Sequence, residues 1–169
     1  MTEQPNEDYA VTMGRQFFFD VYHYFTLKSL TESSDERIAG IAAKALKEVT
    51  YHLRRSSEWV KRFGDGTEES HRRMQDAVDI LWRFTGELIT PDDTDRVMAE
   101  AGIGPDTDQL AKDWRGMVNE VLTQATLTPG AEDAWMYMGG KHGEHTEHLG
   151  FILAEMQFLQ RAYPDATTW

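Results

Sequence analysis

Apolar residues recur along this chain at intervals of three and four, the spacing of one face of an α-helix. The clearest run covers residues 35–63, where Ile38, Ile41, Ala42, Ala45, Leu46, Val49, Leu53, Ser56, Trp59, Val60 and Phe63 share one stripe. Ser33 or Ser34 can cap it, and Gly64 can close it. Upstream, residues 9–31 hold Phe17, Phe18, Phe19, Val21, Tyr22, Tyr24, Phe25, Leu27 and Leu30. These lie nearly all round a helix axis, which predicts a helix buried on several sides. The segment is too long for one strand and has no internal turn. After the turn Gly64-Asp65-Gly66-Thr67, a third helical face follows at Met74, Ala77, Val78, Leu81, Trp82, Thr85 and Leu88.

Pro91, Asp92-Asp93, Gly102, Gly104 and Pro105 then break the rhythm. Short helices are expected there around residues 94–101 and 106–118. Residues 126–140, with Pro129, Gly130 and Gly139-Gly140, read mainly as loop. A last helix is predicted over residues 142–162, with His145, His148, Leu149, Ile152, Met156, Leu159 and Tyr163 on its stripe. No segment reads as a strand. The expectation is an all-α bundle, a single helical domain over residues 1–169 with an irregular insertion at about 91–140.

Composition narrows the function classes. The 169 residues suit one domain. Seventeen Lys and Arg against 29 Asp and Glu give a net charge of −12, which counts against nucleic acid and anionic membrane surfaces as partners. No uncharged apolar run is long enough to span a bilayer, and the acidic start Met1-Thr2-Glu3-Gln4 is no secretory signal. With no cysteine there are no disulfides, thiolate metal sites or cysteine nucleophiles. A cytoplasmic protein is expected.

The remaining chemistry rests on six histidines and nearby carboxylates. Asp20 and His23 stand three apart on one helix, a spacing that can bind metal in a bundle core or simply make a buried hydrogen bond. His52 sits in the apolar stripe of its helix, and a Glu-x-x-His motif ending there would need Glu at position 49, where the chain has Val49. His145 and His148, with Glu144, can form a small ligand set for zinc or iron, or the acidic first turn of a helix. The one literal Glu-x-x-His, Glu68 to His71, falls at a helix start without apolar surroundings and reads as an exposed terminus. Arg54-Arg55 and Lys61-Arg62 form a solvated helix side or a docking site for an acidic partner. There is no phosphate-binding glycine loop and no nucleophile elbow.

Several stretches in order, among them Arg15-Gln16-Phe17-Phe18-Phe19-Asp20, Lys47-Glu48-Val49-Thr50-Tyr51-His52-Leu53-Arg54, Leu81-Trp82-Arg83-Phe84-Thr85-Gly86-Glu87-Leu88 and Gly139-Gly140-Lys141-His142-Gly143-Glu144-His145-Thr146-Glu147-His148, carry a family resemblance. Over residues 3–169 the chain strongly resembles the PaaC-type family, the C components of the multicomponent ring 1,2-phenylacetyl-CoA epoxidases, bacterial oxygenases of phenylacetate degradation. The resemblance implies a ferritin-like helical bundle and a place in a hetero-oligomeric complex whose A subunit holds the di-iron site. It implies a structural subunit with no cofactor of its own, supporting the A subunit that epoxidises the aromatic ring. Matched to the catalytic relative's ligands, Asp20 takes the Asp position, His52 the His position and Val49 the Glu position, a vestigial and broken set. Family members are longer, so the bundle is expected to lack its first helices and to leave the aromatic helix at Phe17–Phe25 uncovered, as a partner interface or an aggregation liability. The alternatives are a metal protein in its own right, ligated by Asp20, His23, His52, His145 and His148, and a free-standing helical interaction module. Asp20, His23 and His52 are expected to share one core layer.

Overall fold

Asp35, not Ser33 or Ser34, starts the longest helix. Its carboxylate accepts the amide N–H groups of Arg37 and Ile38 at 2.9 and 3.1 Å, while the two serines bond to the carbonyls of Ile103 and Ala101. The computed structural model describes residues 1–168, and all regular structure in them is helical. The order is α1 (Tyr9–Leu30), α2 (Glu36–Gly64), α3 (Glu68–Trp82), α4 (Gly86–Ile89), α5 (Asp93–Glu100), α6 (Thr107–Gln124), a 3-10 turn (Gly140–His142), α7 (Glu147–Met156) and α8 (Phe158–Ala162). The all-α bundle expected of a ferritin-like fold is what the chain forms.

α1 explains its all-round apolar pattern by its position. It packs against α2, α3 and α6 at once, and Phe17, Phe18 and Val21 are fully buried. Each such side chain contributes roughly 1.5–3 kcal/mol on leaving water. The expectation that this helix stands uncovered is therefore overturned for its inner face, which the chain's own helices cover at Phe17, Phe18 and Val21, while Phe19, Tyr22, Tyr24 and Phe25 stay half-buried. Phe18 meets the rings of Trp82 and Trp114 at 6.0 and 6.1 Å. The Trp114 indole N–H donates to the Phe18 carbonyl at 3.0 Å, so a buried polar atom finds its partner in the helix it packs on.

The stretch read as irregular holds both short helices, and the second runs six residues further than expected. α6 buries Leu110, Ala111, Trp114, Val118, Val121 and Leu122 and forms a wall of the bundle. α3 is shorter than its pattern suggested: it stops at Trp82, and the buried Thr85 hydroxyl donates to the Trp82 carbonyl at 2.8 Å.

The last helix departs most. Gly139 and Gly143 take φ of +108° and +87°, a left-handed conformation open to glycine, and the chain between them makes a 3-10 turn instead of the start of a helix. α7 begins only at Glu147 and breaks at Gln157. Neither α7 nor α8 buries a residue; Phe151, Met156, Phe158, Leu159 and Tyr163 are all exposed. Polar contacts tether the segment that precedes them. The Glu87 carboxylate accepts the amides of Gly139 and Lys141 at 2.9 and 3.1 Å, and Lys141 Nζ pairs with Asp95 at 2.5 Å.

Candidate functional site

Asp20 is a buried carboxylate at the α1–α2 contact, 1% exposed. α1 places it one turn after Gln16, and the buried face of α2, set by Val49, Leu53, Ser56 and Val60, brings Ser56 opposite it. Gln16 Nε2 donates to Oδ1 at 2.6 Å, and the Ser56 hydroxyl donates to Oδ2 at 2.8 Å. Charge-assisted bonds of this length satisfy a buried carboxylate without a cation. Both oxygens are engaged.

The histidines expected beside it do not join this network. His23 is half-buried at the rim, with its ring 5.5 Å from that of Phe19. Burial pulls its pKa down, Asp20 pushes back up, and the charge of His52 lowers it further, with a net downward shift. His23 thus feels the charges of both neighbours, yet no hydrogen bond links any two of the three among the described residues. His52 is exposed, its Nε2 3.8 Å from Glu48. Position 52 lies at the edge of the stripe whose centre is Val49, Leu53 and Ser56, so the ring turns to solvent. The expected single core layer holds only for Asp20.

Val49, 4% exposed, packs with Leu27 and Ala42 in a small apolar layer of its own. Among the described residues no three His, Cys, Asp or Glu side chains converge as a metal site. A di-iron centre needs several carboxylates projected into one pocket; this one offers Asp20, already committed to Gln16 and Ser56, beside an apolar wall. The donor set does not fit that centre.

His145 and His148 lie elsewhere, lining an open groove of about 640 Å³ with Glu3, Arg83, Phe84 and Glu87. His145 Nδ1 is 2.6 Å from Glu3 Oε1. Glu3 Oε2 accepts the Thr146 amide and hydroxyl at 2.8 and 2.7 Å, so this carboxylate ties the residue that precedes α7 to the start of the chain. Burial alone would raise the Glu3 pKa, but the bonds from Thr146 and His145 outweigh it and hold the carboxyl below its ordinary range. His71, read as part of an exposed terminus, has a structural task. Its Nδ1 is 2.7 Å from the Gly64 carbonyl, which the Thr126 hydroxyl also reaches at 3.2 Å, so the ring closes the C-terminal end of α2. Sequence reasoning missed Gln16, Ser56 and Glu3 as partners. A serine in the centre of an apolar stripe and a glutamine one turn before a buried aspartate were the available signals; nothing near Glu3 pointed across the 143 residues to Thr146.

Residues 1–169 match the model of a family described as phenylacetic acid catabolic protein. The chain is 46% identical over 164 residues to the C component of 1,2-phenylacetyl-CoA epoxidase from Escherichia coli (strain K12). The aligned stretch is 97% of this chain and 66% of that relative, so the chain spans about two thirds of the relative's length.

Proposed function

The chain belongs to the phenylacetic acid catabolic protein family, and from that premise we propose that it is a non-catalytic structural subunit of a phenylacetyl-CoA epoxidase complex. In that role it supports a separate di-iron subunit, which epoxidises the aromatic ring, and the pair works in the cytoplasm. The observation that carries the reading is the fate of the ligand positions: Asp20 bonded to Gln16 and Ser56, Val49 in an apolar layer, and His52 turned to solvent. Three residues that would need to converge on one ion serve packing and solvation instead.

A second feature supports assembly with a partner. α7 and α8 expose a run of large apolar side chains, Phe151 at 69% and Met156 at 69%. Contiguous apolar surface of this kind marks interaction sites, and obligate interfaces are large and apolar. The mechanism is indirect. A catalytic subunit must hold its ligands within about half an ångström, which takes a rigid supporting shell. The bundle around α1 is such a shell, with no loop in its centre.

The test is reconstitution with the di-iron subunit of the same organism, reading phenylacetyl-CoA epoxidation and iron content per subunit. Iron is expected with the partner alone, and activity is expected to collapse when this chain is omitted. Full activity without it, or one or more irons held by this chain in isolation, overturns the reading.

A further inference from the structure

α2 is a basic element in an acidic molecule. It carries seven Lys and Arg against three Glu, a net charge of +4, in a chain whose total is −12, so the other residues together carry −16. The charges are also ordered. Arg37, Ile41, Lys44, Tyr51, Arg55 and Arg62 stand at helical spacings that put them on one outward stripe, roughly 37 Å long at 1.5 Å per residue. All six are exposed, Ile41 at 69% and Tyr51 at 55%.

Several cations elsewhere are paired: Arg72 and Arg73 with Glu69, Arg96 with Asp93, Lys141 with Asp95. Among the described residues none of Arg37, Lys44, Arg55 and Arg62 has a carboxylate within 4.0 Å. Arg62 instead lies over the Trp59 ring at 5.4 Å, and Arg55 reaches the Tyr9 hydroxyl at 3.4 Å.

We propose that this face of α2 is a docking surface for the di-iron partner, and that the partner meets it with carboxylates set around small apolar side chains. The proposal rests on the multisubunit reading above and adds to it the face and its chemistry. Unpaired like charges along one helix repel one another, and a complementary acidic surface relieves that repulsion while fixing register. Ile41 and Tyr51 decide between kinds of anion. A phosphate polymer offers charge but no cover for them, and the −16 on the rest of the molecule repels it along its whole length. A folded protein brings its carboxylates to contact locally, inside a Debye length of about 8 Å, and can bury both side chains; tyrosine is a frequent anchor of such interfaces.

The experiment titrates this chain into the di-iron subunit at low salt, about 50 mM NaCl, and at about 300 mM, a range over which the screening length falls from about 14 Å to about 6 Å. Wild-type affinity is expected to fall with salt. Lys44→Glu combined with Arg55→Glu should weaken binding about tenfold or more at low salt and flatten the salt dependence. Tyr51→Ala should weaken binding at both salts, and Arg115→Glu, on the exposed side of α6, should change nothing. All four positions are exposed, so circular dichroism and melting should report intact folds. A double variant that binds like wild type overturns the docking face and leaves the subunit reading standing. A wild-type chain that does not bind the di-iron subunit overturns both. Salt-sensitive self-association abolished by the same double variant gives the face to a second copy and likewise overturns the proposal.

Discussion

Asp20 shows how the helix packed against a buried charge decides its partners. A carboxylate that enters a bundle core must be neutralised by a cation or fully hydrogen-bonded, and here Gln16 and Ser56 do the second. With valine at position 49, no second carboxylate stands near to hold a dication. Placing a carboxylate there should not by itself create a site. Val49→Glu is expected to take up no iron from aerobic or anaerobic ferrous solution, because Asp20 keeps its two donors and His52 stays on the solvent side. It should also unfold at lower urea, by about 2 kcal/mol or more, since a carboxylate replaces an apolar side chain in a closed layer. Stoichiometric iron in that variant, measured by elemental analysis, would show that the Asp20 network rearranges readily into a metal site.

At the scale of elements, contact between segments matters more than their individual propensities. The end of α2 abuts the turn after α6 so closely that a Cβ on Gly64 would stand 2.1 Å from the Ala125 carbonyl oxygen. Gly64→Ala is expected to cost about 1–3 kcal/mol by overpacking and to loosen the His71 and Thr126 bonds to the Gly64 carbonyl. Gly116, midway along α6 with nothing within 4 Å of its missing Cβ, predicts the opposite: Gly116→Ala should stabilise by about 0.5–1 kcal/mol through helix propensity. Opposite shifts in thermal midpoint check both. These contacts also explain what could be read ahead of the structure. The existence and type of α2 and α3 followed from strong periodicity, and those of α1 from the length of an apolar run with no turn in it, both of which local sequence carries. The role of α6 did not, because Gly102, Gly104 and Pro105 isolate it, and only the meeting of Trp114 with Phe18 makes it a wall of the core. α7 had a stripe too, but an apolar stripe does not say whether anything in the same chain covers it. In the site, Asp20 was legible as a polar residue amid aromatics, with Gln16 one turn before it, whereas Ser56 lies on another helix whose rotation relative to α1 no local pattern specifies.

For the whole molecule, acid should act before alkali. His23 has its pKa lowered chiefly by burial, with His52 adding and Asp20 opposing. The unfolded chain therefore takes up a proton near pH 6.5 that the folded chain resists until lower pH. Stability is full above about pH 6.5 and falls as pH drops toward the folded value. Glu3 adds a second loss: its carboxyl is held below the ordinary range, so its contribution is present above about pH 4.3 and disappears as pH falls through the folded value. Urea midpoints at about pH 7.5, 6.5 and 5.5 should decline, and His23→Gln should flatten that part of the decline; an unchanged slope would remove His23 from the account. The bond between the Trp114 indole and the Phe18 carbonyl, 96 residues apart, carries a consequence for biosynthesis. At about 5–20 residues per second, the ribosome needs roughly 5 to 20 seconds after making α1 before it has made the residue that closes over it. Through that interval the phenylalanines of α1 are on a nascent chain with part of their cover still unmade. Slowing translation between α2 and α6 should therefore raise the demand for chaperones without changing the finished fold at all.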